Sequence, residues 1–98
     1  MITEHAPLDV RPGQEAAFEQ AFARAKDLIA ASLGFVSLEL LRCIETPNRY
    51  LLLARWERLE NHTEGFRKSA AYEDWKALLH HFYDPFPTVE HFATVDEA

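Results

Sequence analysis

The stretch FVSLELLRCIETPNRYLLLARWE, residues 35–57, decides the fold of this chain. It contains two apolar runs, 35–44 and 49–57, separated by the connection ETPN, whose proline and asparagine are typical of a turn. The pair therefore predicts an antiparallel β-hairpin. Both alternating sets of side chains in the two runs are largely apolar, which indicates a sheet with both faces covered. We expect this chain's helices on one face and a second copy of the chain on the other.

The segments before the hairpin predict one strand and one helix. Residues 2–10 alternate with a period of two, in an apolar set that Glu4 interrupts: Ile2, Ala6, Leu8 and Val10. Pro7 has no backbone N–H, so one edge of this strand should be unpaired or bulged there. After the turn at Pro12-Gly13, a helical stripe begins from about residue 14 and includes Phe18, Phe22, Ala25, Ile29 and Leu33. Gly34 is the expected end of the helix.

Helical spacing returns after the hairpin. Leu59, His62 and Phe66 are spaced by three and four residues, and Ser69 begins a second segment that carries Tyr72, Trp75, Leu79 and Phe82. Two short helices, or one bent helix, fit this pattern better than a straight rod. The two prolines of the segment 84–87 end the helix, and residues 88–95 alternate again as a last strand.

The predicted order is strand, helix, strand, strand, helix, strand. This order is that of a ferredoxin-like βαββαβ domain of the α+β class, an antiparallel four-stranded sheet with helices on one face. A chain of 98 residues is expected to form a single domain over 1–98.

Composition narrows the classes of partner. The net charge of −6, with acidic residues scattered, argues against a nucleic-acid partner. No apolar run approaches the length of a membrane span, so we expect no membrane partner. The N-terminus does not resemble a signal peptide, and we expect a cytoplasmic protein. The single cysteine, Cys43, has no internal disulfide partner and is predicted to be a packed strand thiol.

The five histidines do not have the spacing of metal ligands. His80 and His81 are adjacent, so on a helix they point in different directions, and neither an H-E-x-x-H motif nor an i, i+4 histidine pair is present. His62, His80 and His91 are distant in sequence and would converge only through folding. We predict no metal site, and we assign His80 and His81 to a helix C-terminus, where the dipole favours them.

His62 is the histidine with a predicted pocket role. It lies in the apolar stripe with Leu59 and Phe66, so it should face the sheet. Two interpretations remain open: a buried histidine with satisfied hydrogen bonds, or a pocket histidine that binds or deprotonates a substrate. The aromatic side chains around it predict an apolar pocket between helices and sheet, with Phe66, Tyr72, Trp75 and Trp56 as candidate contacts.

Three arginines have two possible roles. Arg67, Arg42 and Arg55 either pair with the acidic side chains Glu39, Glu57 or Glu4, or bind an anionic oxygen. We expect ion pairing to be the commoner outcome, although exposed pairs stabilise a fold only slightly.

With these features the chain resembles the antibiotic biosynthesis monooxygenase family of the dimeric α+β barrel superfamily. The resemblance rests on five segments that cover most of the chain: Val10 to Gly13, Phe18 with Phe22, Gly34 to Leu38, Tyr50 to Glu57, and His62 to Trp75. It implies a homodimer whose two sheets pack face to face, and a cavity in each subunit between sheet and helices.

The family's haem-degrading branch does not fit this chain. The places of its functional residues fall near Ala6, Phe66 and Trp75 or Lys76, and all three are changed here, whereas haem iron requires an axial ligand. The oxygenase branch needs no metal or other cofactor, because the electron-rich substrate anion itself reacts with oxygen.

The resemblance therefore implies a cofactor-independent monooxygenase-like enzyme for a small aromatic or quinol-type substrate. His62 would be its base, and the substrate contacts would be Phe66, Arg67, Trp75, Trp56 and Tyr72. Two alternatives stay open on the same fold. One is a non-catalytic, small-molecule-binding or stress-associated dimeric module. The other is an isomerase of a small carbonyl compound, with His62 as proton shuttle.

Overall fold

A computed structural model describes all residues of the chain, Met1–Ala98. The sheet has four strands, β1 (Ile2–Asp9), β2 (Phe35–Arg42), β3 (Arg49–Trp56) and β4 (Glu90–Ala93). All neighbouring strands are antiparallel, and their order in the sheet is β2-β3-β1-β4. The helical elements are α1 (Glu15–Ala30), a π-helical segment (Asn61–Phe66), α2 (Ala70–Leu79) and a 3-10 turn (His80–Phe82). The predicted α+β ferredoxin-like fold, with helices on one sheet face, is confirmed.

The core lies between that face and the helices. The side chains of β1 and β3 that face the helices are buried. They are Glu4, Ala6, Leu8, Tyr50, Leu52, Ala54 and Trp56. Helix α1 adds Phe18, Phe22, Ala25 and Ile29 from the predicted stripe. Full burial of one large apolar side chain stabilises the fold by about 1.5–3 kcal/mol, so this layer is the main source of stability. No helix of the structure combines the length and the apolar character needed to cross a membrane.

The break expected at Pro7 is confirmed. Strand β1 pairs with β3 along its whole length, but it pairs with β4 only over residues 2–5. Pro7 therefore lies beyond the end of β4, on an edge where no partner requires its missing N–H. Further along, the backbone N–H of Asp84 donates to the carbonyl oxygen of Asp9 at 2.9 Å, so the chain after α2 continues the edge that β4 leaves open.

The ends of α1, β2 and β4 and the register of β2 differ from the prediction, and β4 covers only Glu90–Ala93 of the predicted 88–95. Helix α1 ends at Ala30, and Leu33, predicted as its last core position, is 86% exposed. In β2 the register passes from Phe35 to Ser37, and this bulge at Val36 turns Phe35 toward Trp56 while Val36 is left exposed. Strand β2 ends at Arg42, before Cys43.

The surroundings of Cys43 follow from that end. Its thiol lies in the hairpin connection and accepts the backbone N–H of Thr46 at 3.3 Å, so it is a turn residue rather than a packed strand thiol. The second segment begins where expected, because the side chain of Ser69 accepts the N–H of Tyr72 at 3.2 Å as the N-cap of α2.

Gly34, between α1 and β2, packs against the segment that carries His62. Its φ is +81°, and a Cβ at this position would overlap the side chain of Asn61, the first residue of the π-helical segment. Gly13 has a similar φ of +90° but nothing near its missing side chain. We expect Gly34→Ala to lower the free energy of unfolding by at least about 1 kcal/mol more than Gly13→Ala, since only the former adds a clash to backbone strain. Urea unfolding of both variants measures the difference, and equal losses would contradict the role given to Asn61.

Candidate functional site

A cavity of about 360 Å³ lies between the helices and the sheet. This volume is within the usual range for a small-molecule site. Its apolar walls come from both strands and helices, and they include Ala6, Leu8, Ile29, Leu52, Phe66, Trp75, Phe86 and Val89. Six polar or ionisable side chains also line it: Glu4, His62, Arg67, Tyr72, His80 and Tyr83. The cavity is therefore an apolar, aromatic space with a small number of groups that can exchange protons.

The π-helical segment places His62 in this cavity. The backbone N–H of Arg67 donates to the carbonyl oxygen of His62 at 3.0 Å, a bond across five residues that widens the turn. His62 and Phe66, four residues apart, both point inward and are buried, whereas Leu59, expected on the same stripe, is 39% exposed. The imidazole of His62 stacks on the indole of Trp56, with ring centroids 5.4 Å apart and an interplanar angle of 23°.

Glu4 is a site residue that the sequence pattern did not identify as functional. It is only 5% exposed, and its Oε1 accepts the indole N–H of Trp56 at 3.0 Å. Nε2 of His62 lies 3.3 Å from the same oxygen. Burial raises the pKa of Glu4, while the hydrogen bond from Trp56 and the charge of Arg67 act in the opposite direction. The signal that could have revealed Glu4 was an acidic residue among the otherwise apolar side chains on one face of β1.

His91 extends this pair to the edge of the sheet. It is the cross-strand partner of Glu4 on β4, and its Nε2 lies 2.8 Å from Nδ1 of His62. Burial, Arg67 and His91 lower the pKa of His62 to about 3, and burial and Arg67 lower the pKa of His91. Although the contact between His62 and Glu4 is short enough for an ion pair, His62 is therefore neutral near pH 7 and the contact is not one.

Glu4, His62 and His91 form a chain rather than a ligand cluster. His62 faces Glu4 with one ring nitrogen and His91 with the other, so the three side chains do not converge on one point. No group of three His, Cys, Asp or Glu side chains has the arrangement needed to hold an ion.

His80 has a place in the cavity wall in addition to its predicted helix-end position. It is the C-cap residue of α2, its ring packs edge-on against Tyr72 and Phe86, and burial together with Lys76 lowers its pKa. His81 is exposed and does not line the cavity.

The predicted substrate contacts are mostly brought together. Phe66, Arg67, Trp75 and Tyr72 all line the cavity. Trp56 does not, because it is fully buried behind His62 and reaches the site only through Glu4 and His62. The sequence suggested Trp56 as a contact because it is aromatic, but it did not show the layer in which this side chain lies.

The ion pairs expected for three arginines are not formed. Arg42 pairs with Glu19 at 3.4 Å instead of with Glu39, Glu57 or Glu4, and neither Arg55 nor Arg67 has an ion-pair partner. The guanidinium of Arg67 is therefore an unpaired cation at the cavity.

Comparison with known proteins agrees with this architecture. The family model for antibiotic biosynthesis monooxygenase matches residues 1–78. The uncharacterized protein YczJ of Bacillus subtilis is 52% identical over 95 residues, which cover 97% of this chain and 100% of that protein.

Solved structures extend the likeness. A Bordetella bronchiseptica protein, itself only provisionally described as an antibiotic biosynthesis monooxygenase, is 38% identical with a TM-score of 0.91, and the match covers 96% of each chain. SnoaB, a cofactor-independent oxygenase from Streptomyces nogalater, is 26% identical with a TM-score of 0.78 over 99% of this chain and 94% of that one. With a family model matched over most of its length and a relative this similar along the whole of it, the chain belongs to the antibiotic biosynthesis monooxygenase family.

Proposed function

We propose that this protein is a cofactor-independent monooxygenase that acts on a small aromatic or quinol-type molecule in the cavity between helices and sheet. The observation that carries the proposal is the combination, in one cavity, of aromatic walls, an unpaired arginine and a buried carboxyl–imidazole pair. The likeness to SnoaB, a cofactor-independent oxygenase, supports the same reaction class.

The chemistry requires three things of the protein. It must hold a flat apolar molecule, remove a proton to generate an electron-rich anion, and stabilise that anion until oxygen adds. For an anthrone-type substrate the balance is one CH₂ group and O₂ converted to one C=O group and water. Oxygen is the oxidant, so no resident cofactor is needed.

The cavity offers a group for each task. Phe66, Trp75 and Tyr72 provide flat surfaces against which an aromatic ring packs favourably. Glu4 and His62 form the proton-handling part of the cavity. Arg67, an exposed residue that lines the cavity and has no ion-pair partner, supplies positive charge to a phenolate oxygen.

We also propose that the protein is a homodimer formed through the sheet face opposite the helices. That face carries Leu51 and Leu53, which are half-buried, and Leu41 and Phe92, which are 43% and 51% exposed. Apolar side chains concentrated on one open sheet face favour burial against a partner. A second copy of the same face satisfies this requirement with a two-fold symmetric contact.

Oxygen consumption with a panel of hydroquinones and anthrone-type phenols tests the proposed reaction. We expect the purified protein to accelerate oxygen uptake with at least one member of the panel. Because His62 belongs to the proton-handling pair, we expect His62→Ala to lower that rate by about 10²-fold. Uptake no faster than the uncatalysed reaction across the panel would count against an oxygenase.

A matched histidine variant controls for nonspecific effects. His81 is exposed and outside the cavity, so His81→Ala should retain the rate of the parent protein. If His62→Ala and His81→Ala had equal rates, the site assigned to His62 would be wrong even if turnover were observed.

A further inference from the structure

One carboxyl oxygen in the cavity has no partner in the protein. Oε1 of Glu4 accepts the indole N–H of Trp56 and lies near Nε2 of His62, whereas Oε2 makes no hydrogen bond. Among the side-chain nitrogen and oxygen atoms without a hydrogen-bond partner, only Nδ1 of His5 is fully inaccessible. Oε2 of Glu4 also lacks a partner, so it must retain some accessible surface. Because Glu4 lines the cavity, Oε2 is the oxygen that a bound molecule can reach.

The contacts of His62 select the position of its ring hydrogen. Nδ1 of His62 and Nε2 of His91 are 2.8 Å apart, so one of these two nitrogens carries the hydrogen between them. If it were on His62, the bare Nε2 would face an oxygen of Glu4 at 3.3 Å, and two acceptors at that distance repel. If it is on His91, Nδ1 of His62 accepts from His91 and Nε2 of His62 carries hydrogen beside the carboxylate. The 3.3 Å contact is then electrostatically favourable, although it does not have the geometry of a hydrogen bond.

This arrangement leaves His62 without a nitrogen that can take a proton. Its Nδ1 accepts from His91, and its Nε2 already carries hydrogen. Oε2 of Glu4, by contrast, can gain and lose a proton while Oε1 remains an acceptor in both states. Proton exchange at Oε2 therefore leaves the contacts of Trp56, His62 and His91 intact.

We propose that Oε2 of Glu4 is the proton acceptor of the site, and that His62 and His91 are positioning residues that hold this carboxyl group, an inference that rests on the proposed oxygenase function. The proton of the substrate hydroxyl moves to Oε2, and the electron pair of the broken O–H bond stays on the substrate oxygen. After oxygen has added at the ring carbon, this proton passes to the outer peroxide oxygen. Loss of the remaining C–H proton of that carbon then forms the C=O group and breaks the O–O bond, and the hydroxide that departs takes up that second proton and leaves as water. Glu4 thus returns to its starting state in every turnover.

The ionisable groups around Glu4 agree with this division of roles. Those that face it or share its cavity are His62, Arg67, Tyr72, His80, Tyr83 and His91. Burial lowers the pKa of each of these three histidines, which weakens them as bases, and it raises the pKa of Tyr83, which favours the neutral phenol. Burial raises the pKa of Glu4 and so makes its carboxylate a stronger base than an exposed one.

The activity test compares Glu4→Gln with a matched control, Glu64→Gln, at an exposed glutamate of the π-helical segment that carries His62. Glutamine keeps the shape of the side chain and an oxygen for the N–H of Trp56 but accepts no proton at the position of Oε2. We expect Glu4→Gln to lower kcat by about 10²-fold or more with little change in KM, and Glu64→Gln to match the parent. Glu4→Asp, which keeps the carboxyl group, should recover part of the loss.

The pH profile separates a base from a structural residue. The base must be ionised, so kcat/KM of the parent should fall as the pH drops through the raised pKa of Glu4. Glu4→Gln should lack this acidic limb. An unchanged limb in Glu4→Gln, or a kcat equal to that of the parent, would overturn the proposal while leaving the oxygenase function in place.

Nitrogen-15 spectra of the histidine rings test the positioning roles without any turnover. At neutral pH we expect His62 to carry its hydrogen on Nε2 in the parent and in Glu4→Gln, and to lose this single state in His91→Ala. A hydrogen on Nδ1 of His62 would overturn the proposal. If the parent protein consumes no oxygen, the proposed function fails. The role of Glu4 can then still be tested by following the ionisation of its carboxyl group with carbon-13 NMR. Ionisation at the ordinary pKa of a glutamate would overturn that role.

Discussion

Replacing Trp56 with alanine is expected to lower the free energy of unfolding by about 3–5 kcal/mol, the usual cost of truncating a buried tryptophan. Trp56 has no exposed surface, stacks on His62 and packs edge-on against Phe35 at a centroid distance of 5.7 Å. Its indole N–H also donates a hydrogen bond to Oε1 of the buried Glu4. A domain of this size is typically stable by about 5–15 kcal/mol, so the loss should be a large fraction of the total.

Urea unfolding followed by circular dichroism, at one fixed protein concentration, measures this effect. Trp56→Phe separates packing from hydrogen bonding, because phenylalanine fills most of the space but leaves Glu4 without its donor. We expect Trp56→Phe to cost about 1–3 kcal/mol, the range for removing one partner of a buried polar group. Leu33→Ala, at an 86% exposed position, should stay within about 0.5 kcal/mol of the parent. A loss for Trp56→Ala as small as that for Leu33→Ala would contradict the burial described above.

Introducing a charge at Leu53 is expected to convert a dimer to a monomer at micromolar protein concentration. Leu53 lies on the open sheet face, on the inner strand β3, where its neighbours are His5 on β1 and Glu39 on β2. In a dimer formed through this face, Leu53→Glu would bury an unpaired carboxylate in each subunit beside the existing Glu39. The cost of several kcal/mol corresponds to a dissociation constant raised by about 10²-fold or more.

Light scattering coupled to size-exclusion chromatography measures the mass of the parent and its variants. Leu33→Glu is the matched control, since it makes the same substitution at a side chain that is already exposed in the connection between α1 and β2. We expect the parent and Leu33→Glu to be dimers and Leu53→Glu to be a monomer. A monomeric parent at the same concentration would refute the proposed dimer, and a dimeric Leu53→Glu would place the contact on a different surface.

Much of the fold could be predicted from the sequence because each element has a local period. A period of two over residues 2–10 and a helical stripe from Phe18 to Ile29 identified β1 and α1, and the ETPN connection identified the hairpin. Errors arose where one residue breaks the period. The bulge at Val36 exchanges the two faces of β2 at its start, and the early end of α1 leaves Leu33 outside the core.

The candidate site was predictable only in part. His62, Phe66, Tyr72 and Trp75 were expected to lie inward from their spacing, and all four line the cavity. The base role predicted for His62 stays a prediction, and its contacts lead us to propose that the proton goes to Glu4 instead. Glu4, an acidic residue on the apolar face of β1, was the clue, because a buried acid requires compensating partners. The sequence did not identify those partners.

The sequence by itself determined, for most positions of β1, α1 and the segments after the hairpin, which side chains point inward, because periodicity is a property of neighbours along one element. Only the tertiary structure decided which inward side chains meet. Glu4, His62 and His91 come together because β4 pairs with β1 in a register that sets His91 opposite Glu4, and because a wide π-helical turn carries His62 over both. Strand register and helix width depend on contacts between distant segments, so a one-dimensional pattern does not contain the distances on which the proposed chemistry depends.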